Sequence, residues 1–125
     1  MSKTNDTGTE TVWKDIFDLL VSKGFEVYSP GTKKGECTSE YIVVKNDGST
    51  QHILASTDVD LYAVMCYVPQ QQYSRLETLV LRVKQAMKEL YPQVIPYGSQ
   101  TPSYYDDNYK AHMISIEYKN YKKMF

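Results

Sequence analysis

The stretch Asp58 to Pro69, DVDLYAVMCYVP, constrains the fold of this chain more than any other. Read as a strand, it sends Leu61, Ala63, Met65 and Tyr67 to one face and Tyr62, Val64, Cys66 and Val68 to the other. Both sets are apolar. An antiparallel sheet with one wet face alternates apolar and polar residues, so this strand needs cover on both sides. Helices can cover one face. A loop of the chain or another subunit must cover part of the other.

The cover for the first face is legible in Tyr73 to Tyr91, YSRLETLVLRVKQAMKELY. Leu76, Leu79, Val80, Val83, Met87 and Leu90 recur at three- and four-residue steps, the period of one helix face, with charged residues opposite. Pro92 stops this helix. A first helix is predicted over Thr11 to Lys23, where Trp13, Ile16, Phe17 and Leu20 make one stripe. Thr9 or Thr11 can cap it and Gly24 can close it in a left-handed conformation.

Between these anchors the chain reads as strands. Phe25 to Tyr28 is short. Ser29 to Ser39, SPGTKKGECTS, is a mobile, solvated loop whose GTKKGE string lacks the spacing and ending of a phosphate loop. Tyr41 to Lys45 is β-branched, Asn46 to Ser49 is a turn, and a return strand runs from Gln51 to Thr57. Gln93 to Tyr97 is an edge strand, Gly98 to Asn108 a turn-rich excursion, and Tyr109 to Tyr121 the closing strand. There His112, Ile114, Ile116 and Tyr118 share one face, and Ala111, Met113, Ser115, Glu117 and Lys119 the other. The expected fold is α+β: a mainly antiparallel sheet with two amphipathic helices packed on one face. Residues 1–10 read as a flexible arm and 11–125 as one domain.

Composition narrows the function. Net charge is −1, against binding nucleic acid mainly by charge. No apolar run approaches the roughly 18 residues of a membrane span, and the polar opening MSKTNDTGTE argues against export. Cys37 and Cys66 are expected to be reduced, the first exposed in its loop and the second buried. Tyrosine stands out, with twelve copies against three phenylalanines and one tryptophan. Its apolar body and polar tip suit surfaces that are wet in one state and buried in another.

Catalytic patterns are sparse. Asp58 and Asp60 share a strand end without a third metal ligand nearby. Glu117-Tyr118-Lys119 has the Glu-x-Lys form of many metal-dependent nuclease cores, with Asp106 or Asp107 available as the upstream ligand. Surface strands also alternate Glu and Lys, and the chain has no basic excess. His52, His112, Cys37 and Cys66 lack the short pairing of structural zinc sites. The expectation is a protein that is not an enzyme and needs no cofactor.

The order of these elements resembles that of the tail terminator (tail completion) proteins of long-tailed bacteriophages and phage-tail-like particles. The resemblance spans Val12 to Lys122: an opening amphipathic helix, the extended FEVYSP, a variable loop, the strand EYIVVKNDG, and the strand-to-helix run DLYAVMCYVPQQQYSRLETLVLRVKQAMKEL. A closing strand follows an irregular loop. The resemblance implies six subunits closed into a ring on the end of the tail tube, in the virion tail or a tail-like particle. Such a ring contacts its own neighbours, tube protein, sheath protein if the tail contracts, and the head–tail connector. A connector or neck protein is the alternative in the same class. Contacts are then expected at Lys33 and Lys34, at Tyr62, at Arg75, Arg82, Lys84 and Lys88 on the helix, and at Tyr104, Tyr105, Asp106 and Asp107.

Overall fold

A computed structural model describes residues 11–51, 57–98 and 100–123 of the 125. Helix α1 spans Val12–Ser22. Thr11 caps it, its hydroxyl accepting the Lys14 backbone N–H at 3.1 Å. At the other end the N–H groups of Gly24 and Phe25 bond the carbonyls of Val21 and Leu20, and Gly24 takes φ +92°. This double closure satisfies carbonyls the helix leaves open, and the positive φ explains glycine there.

The strands are β1 (Val27–Tyr28), β2 (Tyr41–Gln51), β3 (Thr57–Pro69), β4 (Ile95–Pro96), β5 (Tyr104–Asp106) and β6 (Ala111–Lys123). They form one sheet in the order β1-β2-β3-β6-β4, with β5 also on β6. Among the described residues only the β1–β2 pair is parallel. The strand singled out by its two apolar faces, β3, is flanked by the two longest partners. The fold is the α+β arrangement expected from the sequence.

Three boundaries differ from expectation. Asn46 to Ser49 is not a turn: β2 runs through it to Gln51, and the register against β3 slips there. Asn46 Oδ1 accepts the Gly48 N–H at 2.8 Å, and Gly48 takes φ +93°. The Asp-Gly signal for positive φ is met by a bulge within a strand. The return strand expected from Gln51 to Thr57 lies partly outside the described residues; β3 itself begins at Thr57. The excursion from Gly98 to Asn108 contains β5, which adds to the β6 edge.

The helix expected over Tyr73 to Tyr91 is also broken into parts. A 3₁₀ segment covers Gln70–Arg75, α2 proper covers Leu76–Met87, and a second 3₁₀ turn covers Lys88–Leu90. Gln72 departs from helical geometry (φ −119°, ψ 33°), so the helix starts later than its apolar period suggests. Its buried face is as predicted: Leu76, Leu79, Val80, Val83 and Met87 are buried, and Leu90 packs at the margin.

Both helices lie on one face of the sheet. Ile16 and Leu20 from α1 join the α2 stripe over Ile42 and Val44 of β2, Val64, Cys66 and Val68 of β3, and Ile114 and Ile116 of β6. Trp13 ties α1 to the sheet, its Nε1 donating to the Val44 carbonyl at 2.7 Å. The opposite face carries a smaller core of Cys37, Tyr41, Val43, Tyr67, Ala111 and Met113, with Tyr28, Met65 and Tyr109 packed against it. Part of the cover for β3's second face is therefore the chain's own loop.

Candidate functional site

Two features of the described surface combine exposed apolar area with charge. The first is a pocket of about 520 Å³ where the end of α2, the β4 segment and β6 meet. Met87, Val94, Ile116 and Tyr118 contribute to its apolar lining, and Lys84 and Lys88 also line it. Lys84 Nζ donates to Gln100 Oε1 at 2.6 Å. Among the described residues neither lysine makes an ion pair. Tyr91, which also lines the pocket, is 69% exposed. The volume falls in the range of small-molecule or side-chain receptor sites, roughly 300–1,000 Å³.

The second feature is the β5–β6 hairpin. Tyr104 and Asp106 alternate on one side of β5, opposite Met113 and Ala111. Tyr104 is 50% exposed. Its hydroxyl is pushed above the usual tyrosine range, first by partial burial and then by the Asp106 carboxylate. Asp106 Oδ1 accepts the Asn108 N–H at 2.9 Å and Lys110 turns with φ +51°, which shapes the tip. Asp107 pairs with Lys110 at 3.4 Å. The hairpin is tied to the body where Tyr105 donates to Gln70 Oε1 at 2.8 Å and Tyr73 bonds Ser103 at 2.9 Å.

The other expected contact residues scatter. Tyr62 is no surface residue: it is buried against the helices, opposite Tyr118. Its parity on β3 puts it on the same face as Val64 and Cys66. Arg82 is turned toward Glu40 at 2.7 Å, with Arg75 at 3.7 Å from the same carboxylate. Lys33 lies over the rings of Tyr28 and Tyr41 at 5.8 and 5.5 Å, while Lys34 is exposed. The loop expected to be solvated is exposed over most of its length, but it folds onto the sheet at Cys37. Cys37, expected to be exposed, is buried there, and its backbone N–H bonds the Tyr109 carbonyl at 2.7 Å. Burial raises its thiol pKa, as it does for Cys66 on the other face. Both are free cysteines.

The catalytic patterns do not assemble. Asp106 faces Ala111 in register, six residues along β6 from Glu117, or about 20 Å of extended chain. Glu117 instead meets Asp47 from the β2 bulge, with Lys45 Nζ 3.7 Å from Asp47. Burial and then the Asp47 carboxylate push the Glu117 pKa up to about 7. Lys119 stacks over Tyr97 and Tyr121 at 5.4 and 4.9 Å. Cys37 and Cys66 sit in separate cores on opposite faces. His112 lies 3.1 Å from the Gln70 carbonyl oxygen, between Tyr73 and Tyr105. His52 lies outside the described residues, as does the side chain of Asp58. Among the described residues no three His, Cys, Asp or Glu side chains cluster as a metal site.

The sequence matches no protein-family model and no curated protein. No helix among the described residues is long and apolar enough to cross a membrane. The pocket was missed by sequence reasoning because it joins residues far apart in the chain, from Lys84 to Tyr118. Its only local signal was the pair of lysines four residues apart, Lys84 on α2 and Lys88 in the 3₁₀ turn that follows.

Proposed function

We propose that this chain is the terminator of a phage tail or phage-tail-like particle. Copies of it close into a ring, six in the resembling family, on the end of the tail tube. The ring ends tube growth, and sheath growth where a sheath is present, and offers a surface to the head connector. The role is structural and uses no cofactor. The observation that carries the reading is the order of elements, α1-β1-β2-β3-α2-β4-β5-β6. Its opening helix, strand, loop, strands, long helix and closing strand follow the sequence of elements that the resemblance rests on. The exposed tyrosines support it, since they leave surface for partners.

The test is genetic and visual. Disrupting the gene in the genome that carries it should give tail tubes of uncontrolled length that fail to join heads, seen by negative-stain microscopy. Restoring the gene should restore a uniform length. Tails of normal length and normal head joining in its absence would overturn the proposal.

A further inference from the structure

The pocket and the hairpin are complementary in chemistry. The pocket is mainly apolar and is lined by two cations that make no ion pair among the described residues, Lys84 and Lys88, and by one carboxyl group, Glu117, which is engaged by Asp47. The hairpin offers a half-exposed aromatic ring, Tyr104, with the Asp106 carboxylate two residues on and on the same side. Asp106 has no cation partner among the described residues, and Asp107 has one, Lys110. A ring entering the pocket buries apolar area on both sides, while the carboxylate reaches cations at the rim. Desolvated aromatic anchors beside matched charges are what strong contact points use.

The two features cannot meet within one chain. Both lie along β6, where β5 pairs at Ala111 to Met113 and the pocket is lined by Ile116 to Tyr118. At least three extended residues, about 10 Å, separate them, and the Tyr105–Gln70 bond fixes the hairpin at its own end. One copy therefore presents a projection and a receptor at different places. Joined between copies, they make a head-to-tail contact that leaves one projection and one receptor free at each stage. Such contacts close into rings when the rotation permits.

We propose that successive copies of this chain join by seating Tyr104 and Asp106 of one copy in the Lys84- and Lys88-rimmed pocket of the next. Closure of the ring rests on the tail-terminator reading; the pairwise contact does not. The occupant is a second copy because the same chain supplies both halves, with matched charge.

The test traps the contact between two differently marked chains. Full-length chains carrying Lys88→Cys are mixed with chains carrying Asp106→Cys under mild oxidation, at millimolar concentration and again in cells producing the tails. Lys88 is exposed and Asp106 half-buried, and both native cysteines are buried. The mixed disulfide should exceed either same-variant dimer several-fold in at least one setting. Lys88→Glu should abolish association of otherwise native chains, and adding Asp106→Lys to it should restore association. Same-variant and mixed dimers in statistical proportion in both settings would overturn the inference. So would a pocket cysteine that links to tube protein or another partner, because the pocket then belongs to that occupant. Tail length in the gene disruption is scored separately. A trapped mixed dimer with normal tails would leave the contact standing and sink the terminator reading, and uncontrolled tails without the mixed dimer would do the reverse.

Discussion

The two faces of the sheet are covered by different means. On the helix side, α1 and α2 lay regular stripes over β2, β3 and β6, and residues such as Ile16, Leu20, Val64, Cys66 and Val83 are fully buried. On the far side the cover is a loop and a set of tyrosines. Tyr41 stacks on Tyr67 at 4.8 Å, and Tyr28 and Tyr109 meet them edge-on at 5.6 and 6.3 Å. The tyrosines and Cys37 cluster at one end of the face. Further along the same strands Lys45, Ala63 and Glu117 lie in register, followed by Leu61 and Lys119. The difference is one of periodicity. A helix covers a face continuously because its apolar residues repeat, whereas a loop covers only where a few large side chains happen to land.

The comparison predicts unequal sensitivity. Val83→Asp puts an unpaired carboxylate into the fully buried helix side. The cost of several kcal/mol is set against a total of about 5–15 kcal/mol, so the variant should fail to fold cooperatively. A thermal transition like that of the parent would show that α2 does not face the sheet. Tyr67→Ala removes a ring that is 6% exposed and stacked on Tyr41. The expected loss is about 3 kcal/mol in denaturant titration, with the native fold retained. A loss as large as that of Val83→Asp would erase the distinction between the two faces.

How much of this was legible follows the same division. The helix side repeats every three to four residues and β3 alternates every two, so their core residues were readable from pattern alone. Tyr118 and Ile116 fell on their predicted face for the same reason. The far side has no period. Cys37 lies in a stretch of turn formers, and its burial depends on where the loop lands against Tyr109. Tyr62 was assigned to the surface although its parity groups it with Val64 and Cys66. The Asp-Gly pair correctly signalled positive φ, but such a signal does not distinguish a turn from a bulge. The pocket was not legible because it forms only where the end of α2, the β4 segment and β6 come together.

The end of the far face beyond the tyrosines gives a smaller and pH-dependent effect. The Glu117 pKa, about 7 when folded, lies above the ordinary 4.5 of the free side chain. The folded chain thus holds this proton more tightly than the unfolded chain does. Its contribution is complete below about pH 4.5, falls as pH rises toward about 7, and is level above that. Glu117→Gln should flatten that decline. Near pH 8 it should raise stability by about 1 kcal/mol, a modest figure because the group is partly open to solvent. A variant less stable than the parent at that pH would mean that the charged form is wanted there, for example by Lys45.

The smallest effect concerns the link between the two covers. Glu40 lies just before β2, at the end of the loop that covers the far face, yet its carboxylate meets Arg82 and Arg75 on the helix side. The side chains of Arg82 and Arg75 are 46% and 58% exposed, so water and salt screen the attraction. Glu40→Gln should therefore cost about 0.5 kcal/mol at low salt and nothing measurable in molar salt. Tested together with Tyr67→Ala, the two losses should add, because an exposed ion pair and a buried ring share no partner. A surplus in the double variant would show that the loop's position on the tyrosine face depends on its anchor at α2. The two faces would then be one cooperative unit, with the α2 end of the loop holding the far cover in place.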